Sequence, residues 1–310
     1  MTLFKPEVVI AKLESGYEFR QAELSRLKLE SANLNRAVFI ECYLRGAIFT
    51  NVSCQDTNFK NTNLSFAKFA CVNLNRANLE MAEFSSGILN KVNLDDVNGY
   101  KARFFGSIFS NLKAVQIDLS FADLREAVGE DVYFHSANLN KACLNDTKFT
   151  KIDLERATVT NAAWQNSTIE DSNWLRVNLQ NTNLSQSTLK QANFKNASLV
   201  NSKLVAARLD TVDFTAAELL ETKFNHARLT GVKFTDSILL SANLEGASLT
   251  DVSFDNANLQ DANCEQTTWS NVTFNNCNVG GAMFSKAQGL TAEQRQWLKQ
   301  HGALNVPQSN

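Results

Sequence analysis

From Phe19 to Phe284, with few exceptions, every fifth residue is a large apolar side chain, usually Leu or Phe. Two positions before it stands a smaller one, usually Ala, Ser, Thr or Val. SANLN (31–35), NTNLS (61–65), RANLE (76–80), QANFK (191–195), SANLE (241–245) and NANLQ (256–260) are one unit with its outward letters changed. In an extended chain the small residue points to the same side as the large one, here called the centre, and the residues on either side of the centre point away. Strict alternation would lose phase after five residues, so each unit must contain a corner that returns the next small residue to the interior. A helix fails this test. Five residues advance about 140° past a full turn, and the centres would spiral around its surface. Inward-facing walls joined by corners describe a coil.

One period running through almost all of the 310 residues predicts a single elongated body of stacked repeats. With only 2 prolines and 12 glycines, most corners must be made by ordinary residues. A formal charge of -2 and a pI near 6.0 give no basic face for direct nucleic-acid binding and no polybasic membrane patch. The opening MTLFKPEVVIAKLESG has neither the cationic start nor the long apolar run of a signal peptide, and no stretch is apolar enough to span a bilayer. A cytoplasmic protein with reduced cysteines is therefore expected. Cys42, Cys54, Cys264 and Cys277 stand in for small or apolar core residues, while Cys71 and Cys143 fall at other phases of the unit.

Chemistry-bearing constellations are missing. His135 and His226 take outward positions and His301 lies in the tail, none at metal or triad spacing. The neighbouring acids Asp95 with Asp96, and Glu130 with Asp131, fall at corners without a cleft, and Gly280-Gly281 lacks the Lys-Ser/Thr of a phosphate loop. No catalytic, cofactor-binding or metal residue is assigned, and no enzyme activity is expected.

The A-(N/D)-L-x-x pattern resembles that of the pentapeptide-repeat family, from residue 17 to about 288. The resemblance implies an all-β solenoid: a right-handed quadrilateral β-helix with four units per coil, about 13 coils and a length on the order of 60 Å at strand spacing. Residues twenty apart would then lie above one another. Phe194, Phe214, Phe234, Phe254 and Phe274 would form one interior column, and Leu179, Leu199, Leu219, Leu239 and Leu259 another. Residues 1–16 read as an N-terminal helical cap, 17–289 as the β-helix, and 290–310 as a capping helix and tail. Pro6 suits a first helical turn, with Val8, Val9, Ile10 and Leu13 as apolar bulk. Thr291 with Gln294 makes a capping box, and Gly302 is a fitting stop. Trp297 and Leu298 either plug the end or serve a dimer contact.

The pattern weakens where Gly99, Ala114 and Gly129 replace large centres, with Leu112 and Ile117 at positions that are normally small. A bulge or local distortion is expected between 99 and 129. Ile88, Ile108 and Val128 form an outward apolar column just before the centre, with Phe105 around a corner and Tyr100 close in sequence. Val200, Leu220 and Leu240 form another just after the centre, flanked by Ile238. Such stripes mark partner or self-association sites, or they reflect the fit of branched side chains to an extended wall.

Three functions are consistent with these features. The first is a non-enzymatic scaffold whose flat walls hold a protein partner of unknown identity, a second copy of the chain included. The second follows from the resemblance: quinolone-resistance members of the family resemble a B-DNA rod in size and negative surface and bind DNA gyrase. Mixed charges, greater length and the lack of projecting loops separate this sequence from them. The third, also implied by the family, is a bacterial secretion-system accessory or effector.

Overall fold

A computed structural model describes residues 4–308, so the first three residues of the expected cap and the last two of the tail lie outside the described residues. The chain divides into two compact units, Met1–Thr158 and Val159–Asn310. Each is a parallel β-solenoid.

In the first unit the strands Lys28–Glu30, Ile48–Thr50, Lys68–Ala70, Ile88–Asn90, Ile108–Lys113, Val128–Tyr133 and Lys148–Asp153 stack in parallel, each on the next. Their register, Leu29↔Phe49↔Phe69↔Leu89↔Phe109↔Gly129↔Phe149, advances by the expected twenty residues. The other walls carry the same step as isolated bridges, such as Asn58↔Asn78↔Asn98↔Asp118. The second unit repeats the plan, with Ile169↔Leu189↔Leu209↔Leu229↔Leu249↔Trp269 on its strand wall. Centres and small residues fill the interior. Phe194, Phe214, Phe234, Phe254 and Phe274 form a ladder of near-parallel rings with centroids 5.0, 5.3, 5.0 and 5.9 Å apart.

The corner falls two residues after the centre, where the backbone takes positive φ in unit after unit: Arg26, Arg36, Asn61, Arg76, Asn201 and Glu221 all lie between 55° and 62°. This left-handed conformation costs an L-residue about 1–2 kcal/mol. Hydrogen bonding offsets the cost. The corner amide donates into the following coil, as Arg26 N–H does to the Arg45 carbonyl at 2.8 Å and Asn61 N–H to the Glu80 carbonyl at 2.9 Å. On three of the walls the centre carbonyl also accepts from the amide three residues on, as between Leu34 and Ala37 at 3.0 Å, closing a β-turn.

That turn strands the amide just after the centre, and the residue just before the centre satisfies it. Asn33, Asn58, Asn78, Asn98 and Asp118 each accept with a side-chain oxygen from the backbone two residues on, at 2.9–3.2 Å. On the strand wall the ladder supplies partners instead. There the corresponding residues, Lys28, Ile48, Lys68, Ile88, Ile108, Val128 and Lys148, include no Asn or Asp.

The expected distortion between 99 and 129 is corrected: the twenty-residue register passes through without a bulge. Instead, three strands lengthen to 6 residues and run through the corners at Asn111, Asp131 and Lys151, which keep their positive φ. Leu112, Val132 and Ile152 stand at the small-residue position, all buried and in register, and return the volume that Ala114 lacks. The missing side chain of Gly129 is replaced from the next coil. A Cβ there would meet the Phe149 ring at 2.5 Å, just as one on Gly99 would meet Leu119 at 2.9 Å.

Helix α1 (Pro6–Glu14) begins on its proline and buries Val9, whereas Val8 is exposed. Helix α2 (Ala292–Gln300) has the capping box of Thr291 and Gln294. Beyond it, Gly302 turns with a φ of 85°, and Leu304 pairs with Met283 to extend the ladder. Gln294 Nε2 donates to the Val272 carbonyl at 2.8 Å, tying α2 to the last coil.

Candidate functional site

The strand wall of the first unit frees the residue before each centre from hydrogen-bonding duty, and there the sequence places apolar side chains. Ile88, Ile108 and Val128 are direct register partners, exposed by 37%, 48% and 44%, and form a continuous stripe. Phe105 is half-buried around the preceding corner, its ring 5.5 Å from the Arg125 guanidinium. That guanidinium is held in a two-pronged pair with Asp123, both bonds 2.8 Å, which keeps the Asp123 carboxyl below the usual carboxylate range. Tyr100 lies on a different wall from the stripe, edge-on to Phe121 at 5.7 Å.

In the second unit Val200, Leu220 and Leu240 are half-buried, and Ile238 is 45% exposed. Their coils are joined by bonds from Asn201 N–H to the Leu220 carbonyl and from Glu221 N–H to the Leu240 carbonyl, at 2.9 and 3.0 Å. This column offers less apolar surface than the first. Leu298 is fully buried at the end of the coil, and the half-buried Trp297 continues the aromatic ladder, 6.1 Å from Phe274 and 4.2 Å from the His301 ring.

Burial drives the Cys54 and Cys264 thiols well above their ordinary pKa and pushes Cys277 up to about 12, so none supplies a thiolate nucleophile at neutral pH. Among the described residues no three His, Cys, Asp or Glu side chains are grouped to hold a metal ion, and no helix is long and apolar enough to cross a membrane. Some outward charges pair with a partner one coil away: Arg76 with Asp56, Lys60 with Glu80 and Lys190 with Glu170, each at 2.8 Å, and Arg103 with Glu83 at 3.1 Å. Sequence reading missed the exposed aromatic rings Phe66 and Phe121, which occupy left-handed corners with positive φ of 62° and 59°. Their signal was a bulky ring two residues after a centre, where small or polar residues are commoner.

Two family models match the chain. The pentapeptide repeat region matches residues 167–244 and 207–284, and pentapeptide repeats (8 copies) match 18–53, 47–85 and 115–150. No curated protein sequence matches. Among solved structures, QnrB1, a plasmid-mediated fluoroquinolone resistance protein, is 20% identical over 69% of this chain and 94% of its own, with a TM-score of 0.38. HetL from the cyanobacterium Nostoc, involved in heterocyst differentiation regulation, is 19% identical over 92% of this chain and 97% of its own, at 0.23. The A-module of the mannuronan C-5 epimerase AlgE6 from Azotobacter vinelandii is 10% identical over 92% and 94%, at 0.31.

Proposed function

The chain belongs to the pentapeptide-repeat family, and on that premise we propose that it is a non-enzymatic scaffold that holds a protein partner against the strand wall of its first unit. The observation that carries this reading is the Ile88–Ile108–Val128 stripe: three exposed apolar side chains stacked in successive coils at strand spacing. Apolar surface so aligned contributes by burial, at about 25 cal/mol per Å² removed from water. The lysines at Lys68 and Lys148, one coil beyond each end of the stripe, give it a charged rim. A cytoplasmic setting is part of the proposal and is supported by the cysteines, all six of them free thiols.

Affinity capture from the native lysate tests the reading, with the parent chain compared against Ile108→Glu. The expected outcome is a stoichiometric protein lost from the variant while circular dichroism and melting temperature stay unchanged. Equal recovery of every captured protein by both chains would refute the assignment to this wall.

A further inference from the structure

We propose that the corner between Arg45 and Ile48 is a binding socket for a phosphate group. Three columns meet there. The corner column runs Arg26, Gly46, Phe66, and the strand column Lys28↔Ile48↔Lys68 in direct register. Arg45 stands on the other side of the corner from the strand, its guanidinium 4.6 Å from the Phe66 ring centroid. Gly46 makes the space. At a position where its neighbours above and below carry long side chains, it carries none, and the nearest atom to an added Cβ would be Arg26 Cγ at 3.7 Å. The result is an open pocket lined by Arg26, Lys28, Arg45, Ile48, Phe66 and Lys68 around Gly46, with four cations and no carboxylate in its wall.

The charge of these cations is unanswered. Elsewhere in the same unit Arg76, Arg103, Arg125 and Lys60 each sit on a carboxylate. Among the described residues, Arg26, Lys28, Arg45 and Lys68 form no ion pair and donate no side-chain hydrogen bond. The nearest acid in sequence, Glu30, makes no pair with Lys28. Four like charges within two coil steps, about 10 Å, repel one another unless an anion joins them. Two guanidinium and two ammonium groups lining one pocket offer donors for more than the two oxygens of a carboxylate, and a doubly charged phosphate, with its additional oxygens, answers more of that charge. The socket is centred three coils from the middle of the apolar stripe and shares with its rim only Lys68, so Arg45→Ala and Gly46→Glu test it apart from the scaffold reading.

The site is tested by calorimetric titration of the full chain with inorganic phosphate and, separately, phenyl phosphate, at constant ionic strength. Saturable 1:1 binding is expected, weakened about tenfold or more by Arg45→Ala or Lys68→Ala, each of which removes a charge-assisted hydrogen bond. Gly46→Glu, which places a carboxylate in the socket, should abolish binding, whereas Gly46→Ala, with the same backbone demand and no charge, should retain it. Tighter binding of phenyl phosphate would identify an ester as the source of the group, and equal or weaker binding would identify free phosphate. Failure to saturate, or identical titrations for the parent and Gly46→Glu with circular dichroism unchanged, would overturn the proposal.

Discussion

At the scale of single residues, the unit is held by two polar devices on either side of its apolar centre. The asparagine before the centre accepts the amide that the turn leaves without a backbone partner. Asn78 does this for Glu80 and also accepts from Asn98 Nδ2 in the next coil at 3.2 Å. Asn78→Ala is expected to lower stability by about 1 kcal/mol in chemical denaturation, whereas Lys68→Ala on the strand wall should change it little. The corner residue carries backbone strain wherever it is not glycine. Asn201, with a φ of 59°, should tolerate Gly, whereas Asn201→Ile should cost about 1–2 kcal/mol because a branched Cβ crowds the left-handed conformation. The alternation of inward and outward residues was legible in the sequence because burial enforces it. The duties of the outward Asn and of the left-handed corner were not, because they depend on where each amide points, which a five-letter pattern does not record.

At the scale of walls and strands, volume is conserved across coils rather than within a unit. Gly99 and Gly129 lack the large centre of their units, and Leu119 and Phe149 from the following coil occupy the space. Restoring the usual large centre should therefore harm the fold: Gly129→Leu is expected to destabilise by about 1–3 kcal/mol through overpacking, read as a lower melting temperature. The expectation of a bulge failed for the same reason. Moving bulk to Leu112, Val132 and Ile152 keeps every coil the same size, so the ladder continues and the strands simply lengthen around the corner. The columns Ile88–Ile108–Val128 and Val200–Leu220–Leu240 could be located from the twenty-residue step alone. Their unequal exposure could not: Ile88, Ile108 and Val128 are exposed, whereas Val200, Leu220 and Leu240 are half-buried.

At the scale of the molecule, a regular interior leaves function to the walls, where some outward charges pair between coils and three exposed apolar side chains align in one stripe. The paired carboxylates give a definite pH response. Hydrogen bonds from Arg125 depress Asp123, those from Ser25 depress Glu23, and those from Arg76 depress Asp56, so each is more acidic folded than unfolded. Their stabilisation is complete above the unfolded value near 4 and is lost as pH falls through the folded values. Melting temperature should therefore be level from about pH 7 to 5 and fall below about 4, with a shallower fall in Asp123→Asn. The socket at Gly46 and the stripe at Ile108 are separate features of the first unit, one polar and one apolar, and either can be removed without the other. The central claim, that the strand wall of this unit holds a protein, is tested most directly by quantitative mass spectrometry of proteins captured on the parent chain and on Ile108→Glu, both verified as folded. The account predicts at least one stoichiometric protein retained by the parent and depleted by about tenfold or more on the variant, as expected when a charge enters an apolar contact. Indistinguishable capture profiles from the two folded chains would contradict it.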